Sequence, residues 1–267
     1  MVSSEREIRL IVRGDDMGLL HSCNLAVMKA FEQGILTCAA IIAAAPWAKE
    51  AAEMAKTNPS WCIGAHLSVI GEWKGYSWRP VLPYDKVPSI VDEDGFLHKS
   101  PREFFEANPQ FDEVKKELKA QIELLKKWGV KLCYLDAHYI RYEERGKENV
   151  FTKAIMELSE EYGLPVSGKS GEKFVSGVYS KPPWAKETIL VKQLEALTPG
   201  LWLLVNHLLV ESPDGQALVH SEPADVMKLG VGNHRAAELR CLLSPRVKEV
   251  ILKKNIELVD YRIFRKP

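Results

Sequence analysis

Residues 8–18 read IRLIVRGDDMG, and the choice of fold rests on how this stretch begins and ends. Ile8–Val12 is a short β-rich run that stops at Gly14-Asp15-Asp16, so two carboxylates stand just past a strand end. Downstream, Ser22–Gln33 carries apolar Leu25, Ala26, Met28, Ala30 and Phe31 and closes at Gly34; it reads as a helix with Ser22 or Asn24 as its cap. Cys38–Ala44 is an uninterrupted run of small and β-branched residues, a second buried strand. Pro46–Lys56 interleaves alanines with charges as a helix does, and Trp61–Val69 gives a third strand carrying His66. Strand, helix, strand, helix, strand is the order of a parallel sheet covered by helices.

Gly71–Ser100 breaks that rhythm. It is rich in Trp, Tyr, Pro and Gly and too long for a simple connection, which marks it as a lid or substrate wall. The alternation then resumes. Pro101–Phe105 is helical, and Phe111–Trp128 places Val114, Leu118, Ile122 and Leu125 on one helical face before Gly129. Lys131–Leu135 is a strand ending at Asp136-Ala137-His138, and Val150–Tyr162 is a helix stopped at Gly163. Leu164–Val166 is a weak strand, Ser167–Lys181 a polar loop, and Lys186–Ala196 a helix. Leu201–Val205 is a strand ending in Asn206-His207; helices over Asn233–Leu243 and Pro245–Asn255 and a strand over Ile256–Tyr261 finish the chain. No repeat or linker divides it, so residues 1–267 read as a single α/β domain, a distorted (β/α) barrel.

Composition narrows the function. Lys+Arg and Asp+Glu both total 36, and no basic stripe is present, which argues against nucleic acid as a partner. The longest apolar run, Cys38–Ala45, is far short of the roughly 18 residues of a membrane span. The charged start Met1–Arg9 does not resemble a secretory signal, and Cys23, Cys38, Cys62, Cys133 and Cys241 form no CxxC pair. A cytoplasmic protein acting on a small molecule is expected; assembly as a homodimer is compatible with these features.

Four polar groups follow four predicted strands: Asp15/Asp16, His66, His138 and His207. In parallel α/β folds the C-terminal strand ends form one rim, where active sites are built. One carboxylate and two imidazoles suit Zn²⁺ or a similar divalent cation. Successive side chains alternate along a strand, but at a strand end the two aspartates can diverge, one to a metal and one to the attacking water. His207 is then placed to protonate the departing group. Asp136 is a helix cap or a partner that orients an imidazole. Trp73, Tyr76 and Trp78 offer stacking faces for a sugar, and Arg79, Arg141 and Arg235 offer bidentate pairing to an anionic substrate group. His21, His98 and His220 read as surface residues.

These motifs, in this order, resemble a known family. Gly14-Asp15-Asp16-Met17-Gly18 resembles the DDFG-type opening of the YdjC-like carbohydrate deacetylases, the group that includes chitooligosaccharide deacetylases. Gly64-Ala65-His66-Leu67-Ser68 is similar to their G-I/L-H-L segment, Tyr134-Leu135-Asp136-Ala137-His138 to their D-S-H segment, and His207 stands where they carry a late histidine. Residues 87–96 resemble their SLVD-DG-F loop, and Arg235–Leu243 their R-x-x-E-L-x-x-L helix. The resemblance implies a distorted barrel of the polysaccharide deacetylase kind, a divalent metal (Mg²⁺ or Zn²⁺), and removal of an acetyl group from a small carbohydrate. It implies Asp16, His66 and His138 as ligands, Asp15 as general base and His207 as general acid. The chain departs from the pattern after His138, where Tyr139 and Arg141 enter the expected substrate wall, and after His207, where Leu208-Leu209 replaces Pro-Gly. The same rim also suits phosphoester or cyclic-amide hydrolysis, or sugar binding without turnover.

Overall fold

The computed structural model describes residues 7–141, 143–144, 147–176, 178–221 and 229–264; residues 1–6, on which the expectation about the N-terminus partly rests, lie outside the described residues. The chain runs β1 (Ile8–Met17), α1 (His21–Gln33), β2 (Cys38–Ile41), α2 (Ala48–Thr57), β3 (Cys62–Leu67), α3 (Pro101–Glu106), α4 (Phe111–Lys127) and β4 (Leu132–Ala137). A two-residue pair, β5 (Glu143–Glu144) and β6 (Lys147–Glu148), precedes α5 (Val150–Tyr162), β7 (Lys173–Phe174), α6 (Lys186–Glu195) and β8 (Gly200–His207). The short α7 (Pro213–Ala217), then α8 (Val231–Leu243), α9 (Pro245–Lys253) and β9 (Ile256–Val259) complete it.

The main sheet is parallel, in the order β4-β3-β2-β1-β8-β7, and β9 joins β1 beside it. β1 is its axis. Ile8–Asp15 pairs with Gly200–His207 on one edge; on the other, Ile8–Ile11 pairs with β9 before β2 takes over from Arg13. The sheet curls around a small core of Ile11, Cys38, Ala40, Cys62, Tyr134, Leu203 and Tyr261, while a larger core lies between its outer face and the helices. Small residues on β2 and β3 make the inner face shallow, and the rings of Tyr134 and Tyr261, stacked 4.2 Å apart, fill it. Gly64 is required there: a Cβ would lie 2.5 Å from the Tyr134 ring.

The helices follow their sequence signals. On α4, Asp112 and Glu113 in the first turn and Lys126 and Lys127 in the last complement the helix dipole. Its inner face carries more than apolar side chains. Gln121 accepts from Ser68 N at 3.0 Å and donates to Ser68 O at 2.6 Å, and Glu117 accepts from Val81 N and Leu82 N at 2.8 and 3.0 Å. The strand end that bears His66 and the segment after it are thereby pinned to α4. Residues 71–100 contain two short 3₁₀ turns and a few isolated β-bridges, such as Val91 with Leu97, and bury Val87, Ile90 and Leu97. The weak strand at Leu164–Val166 reduces to one parallel bridge between Val166 and Leu135, β7 falls inside the expected polar loop, and the last strand stops at Val259. Among the described residues no helix is long and apolar enough to cross a membrane.

Candidate metal centre

Four strand ends meet at the C-terminal rim of the curled sheet. Register alone sets Asp15 opposite His207 and His66 opposite Asp136. Asp16 joins them through a break in β1: the pairing with β2 shifts between Gly14 and Met17, and Asp16 takes φ +62°. That left-handed residue within a bulge cancels the usual alternation, so both aspartates reach the same cavity. Tyr139, next to His138, has φ +59°, so two non-glycine residues in the left-handed region flank the site.

Asp16 Oδ1, His66 Nε2 and His138 Nδ1 form a nearly equilateral triangle with sides of 3.3, 3.2 and 3.2 Å. Donors at about 2.0–2.1 Å from a common ion and about 100° apart have this spacing. Each imidazole is held from behind by a carboxylate: Asp136 Oδ2 lies 2.7 Å from His66 Nδ1, and Glu72 Oε2 lies 2.8 Å from His138 Nε2. Such partners fix ring orientation and strengthen the ligand. Formal charge points the same way. Asp15, Asp16, Asp136 and Glu72 face two guanidiniums, Arg13 and Arg235, so the buried cluster holds two negative charges in excess. The donor set and its charge both fit one divalent cation.

Without that cation, protons fill the role. Burial opposes a charged His66, but Asp15 and Asp136 outweigh it and hold the imidazole up at about 9. Burial likewise opposes charge on His138, which Glu72 and Asp16 hold up at about 10. Burial also works against ionisation of Asp16, yet Arg235, 2.5 Å from its Oδ2, and the two histidines keep it well below the usual carboxylate range.

Asp15 belongs to a different network. Arg13 grips both its oxygens, Nε to Oδ1 at 2.6 Å and Nη2 to Oδ2 at 2.7 Å, and Nη1 donates to Asp136 Oδ1 at 2.6 Å and also to Ser167. Burial pushes the Asp15 carboxyl up, but Arg13, His66 and His207 together bring it below its ordinary value. A single guanidinium thus couples the carboxylate facing His207 to the one behind His66. His207 lies at the far side of this cavity, its ring 5.1 Å from that of Tyr179. Glu238, buried and paired with Lys186 at 2.8 Å, accepts from the His207 backbone N at 2.7 Å and lies 3.9 Å from its Nδ1.

Of the expected site residues, Asp15, Asp16, His66, His138, His207, Trp73, Tyr139 and Arg235 line the cavity, while Tyr76 does not and donates its hydroxyl to Leu19 O at 2.8 Å. Arg235 spends one nitrogen on Asp16 and lies over the Trp73 ring. Arg79, Trp78 and Arg141 do not line the cavity either. Arg79 is exposed and packs over Tyr84 and Phe96 of its own loop, Trp78 is buried against Gly71, and Arg141 is exposed, its carbonyl accepting from Asn149. The surface assignment of His220 is corrected: it is half-buried, between Trp73 and Tyr139, and lines the cavity. His98 is half-buried too, whereas His21 is exposed. Sequence reasoning passed over Arg13, Glu72 and Glu238. Arg13 stands two residues before Asp15 on the same strand face, and Glu238 is the acidic position of the R-x-x-E helix; both signals were readable. Glu72 sits in an irregular segment with no such signal.

The YdjC-like protein family model matches residues 9–253. This chain belongs to the YdjC-like family. Among its YdjC-like relatives is a carbohydrate deacetylase from Enterococcus faecalis, 27% identical over 263 residues that cover 95% of this chain and 97% of the relative. The crystal structure of a proposed cellobiose-phosphate cleavage protein from Enterococcus faecalis V583 superposes with a TM-score of 0.79 at 23% identity, covering 97% of this chain and 100% of the other. A peptidoglycan N-acetylglucosamine deacetylase superposes with a TM-score of 0.51 at 13% identity over 96% and 86% of the two chains, a likeness of fold alone. The YdjC-like chain is thus an α/β protein on the polysaccharide deacetylase pattern, as its sequence motifs imply.

Proposed function

We propose that this protein is a metal-dependent hydrolase that removes an acetyl group from an acetylated sugar or oligosaccharide. The observation that carries the reading is the Asp16–His66–His138 triangle, with an ionised Asp15 on one side and His207 on the other. A divalent ion, Mg²⁺ or Zn²⁺, held by those three residues supplies a Lewis acid for the acyl carbonyl and a lowered water pKa. The chain's own groups do the rest. Asp15, locked in place by Arg13, accepts a proton as water adds to the acyl carbon. Arg235, bonded to Asp16, keeps the ligand carboxylate ionised and aimed. Burial pushes the His207 imidazole below its ordinary pKa, opposed by Asp16 and reinforced by Arg235, so its protonated form is a stronger acid than a free imidazolium and is populated only at lower pH. It delivers its proton to the sugar nitrogen or oxygen as the bond to the acyl carbon breaks, leaving acetate and the free sugar. Tyr139 and His220 line the cavity and are assigned to the substrate. The relatives' carbohydrate deacetylase names support this reading. All five cysteines are free and buried, which suits the reducing cytoplasm.

An acetate-release assay over acetylated saccharides tests the proposal. Activity is expected to vanish on chelation and return with added metal. Asp15→Asn should lower kcat by about 10²- to 10⁴-fold while metal content is unchanged. Release of phosphate instead marks a phosphoesterase, and tight sugar binding without turnover at full metal loading marks a binding protein; either result overturns the deacetylase reading.

A further inference from the structure

The cavity that holds the triad has a volume of about 70 Å³. A second cavity, of about 250 Å³, opens beside it and shares His207 and Tyr179 with it. It forms where β7 ends: Phe174 pairs with Leu203 and Val175 N still bonds Leu203 O, after which the chain leaves β8, and buried Leu204 with half-buried Val205 and His207 lines the gap. Apart from Ser176 the rest of its wall is apolar or aromatic, with Phe174 53% exposed and Tyr179 42% exposed, so two aromatic side chains present themselves to a ligand beside the proton donor.

We infer that this second cavity is the subsite for the sugar ring carrying the scissile acetyl group, with Phe174 a specificity-determining residue that packs against the ring. The inference rests on the deacetylase reading and extends it. A donor must reach the atom that leaves with the sugar, so the sugar lies on the His207 side of the reaction centre, and the acyl group on the triad side. The C–H face of a pyranose is the complement of an aromatic wall with few hydrogen-bonding groups. Phe174 does not line the triad cavity, so its substitution separates sugar binding from chemistry.

The test compares wild type, Phe174→Ala and Phe174→Trp on an N-acetylglucosamine disaccharide and on 4-nitrophenyl acetate, which has no sugar. Titration calorimetry with the deacetylated disaccharide measures binding independently of turnover. For Phe174→Ala we expect KM for the disaccharide to rise, and affinity for its deacetylated form to fall, by about three- to tenfold. kcat and hydrolysis of 4-nitrophenyl acetate should stay at the wild-type level, and Phe174→Trp should recover the binding. Unchanged KM and affinity overturn the assignment. So does a Phe174→Ala enzyme that keeps its sugar affinity but changes its preference between N-acetyl and N-butyryl substrates, which makes the cavity an acyl pocket. Failure of wild type to release acetate from any saccharide sinks the deacetylase reading instead, while the calorimetric arm still decides whether the sugar sits against Phe174.

Discussion

Both nitrogens of each triad imidazole are committed, one to the shared triangle and one to a carboxylate behind it. Removing the rear partner should therefore weaken the ion without removing a ligand. Asp136→Asn and Glu72→Gln are each expected to lower metal affinity by about 10- to 100-fold, read by competition with a chromogenic chelator. An unchanged affinity would strip these carboxylates of that role. The protons make a second prediction. His66 and His138 hold protons up to about 9 and 10 in the metal-free protein, against about 6.5 for a free histidine. Their protonated forms stabilise the metal-free fold fully below about pH 6.5, and that contribution is lost as pH climbs through 9 to 10. An incoming cation must displace both protons, so at pH 8 binding should release about two, and its apparent affinity should rise with pH. Titration calorimetry in buffers of different ionisation enthalpy counts them, and a buffer-independent heat would contradict the account.

At the scale of the element, β3 shows how a strand serves core and site together. His66 reaches the rim, while two residues earlier Gly64 lets Tyr134 lie flat against the sheet. Gly64→Ala drives a methyl into a ring that is itself stacked on Tyr261, leaving no flexible atom to yield. It should cost about 1–3 kcal/mol of stability in a denaturant titration, and an unaltered midpoint would refute the packing argument. The strands that bear the site were legible because each joins a β-rich run to a polar group at its end, as Ile8–Val12 does to Asp15 and Asp16. The bulge at Asp16 was not: the two aspartates were expected to diverge just past the strand end, whereas β1 runs on to Met17 and a backbone at φ +62° breaks the alternation within it. β7 was hidden for another reason. Two residues in a polar run carry no period, and Lys173–Phe174 is a strand only because the edge of β8 is there to pair with it.

Over the whole molecule, β1 is bonded to strands from both ends of the chain, β8 on one edge and, on the other, β9 followed by β2. We propose on this ground that residues 1–267 unfold as one unit, so calorimetry of the metal-free protein should give a single transition, and two resolved transitions would contradict it. Metal at 100 times its Kd should add about 2.7 kcal/mol to that stability. The same closure brings Asp16, His66 and His138 together from β1, β3 and the end of β4, and the chemistry depends on their sharing one ion. Anomalous diffraction from zinc-loaded crystals measures this directly. The account predicts one peak at about 2.0–2.2 Å from Asp16 Oδ1, His66 Nε2 and His138 Nδ1; a peak bound elsewhere, or none at that triangle, would contradict it.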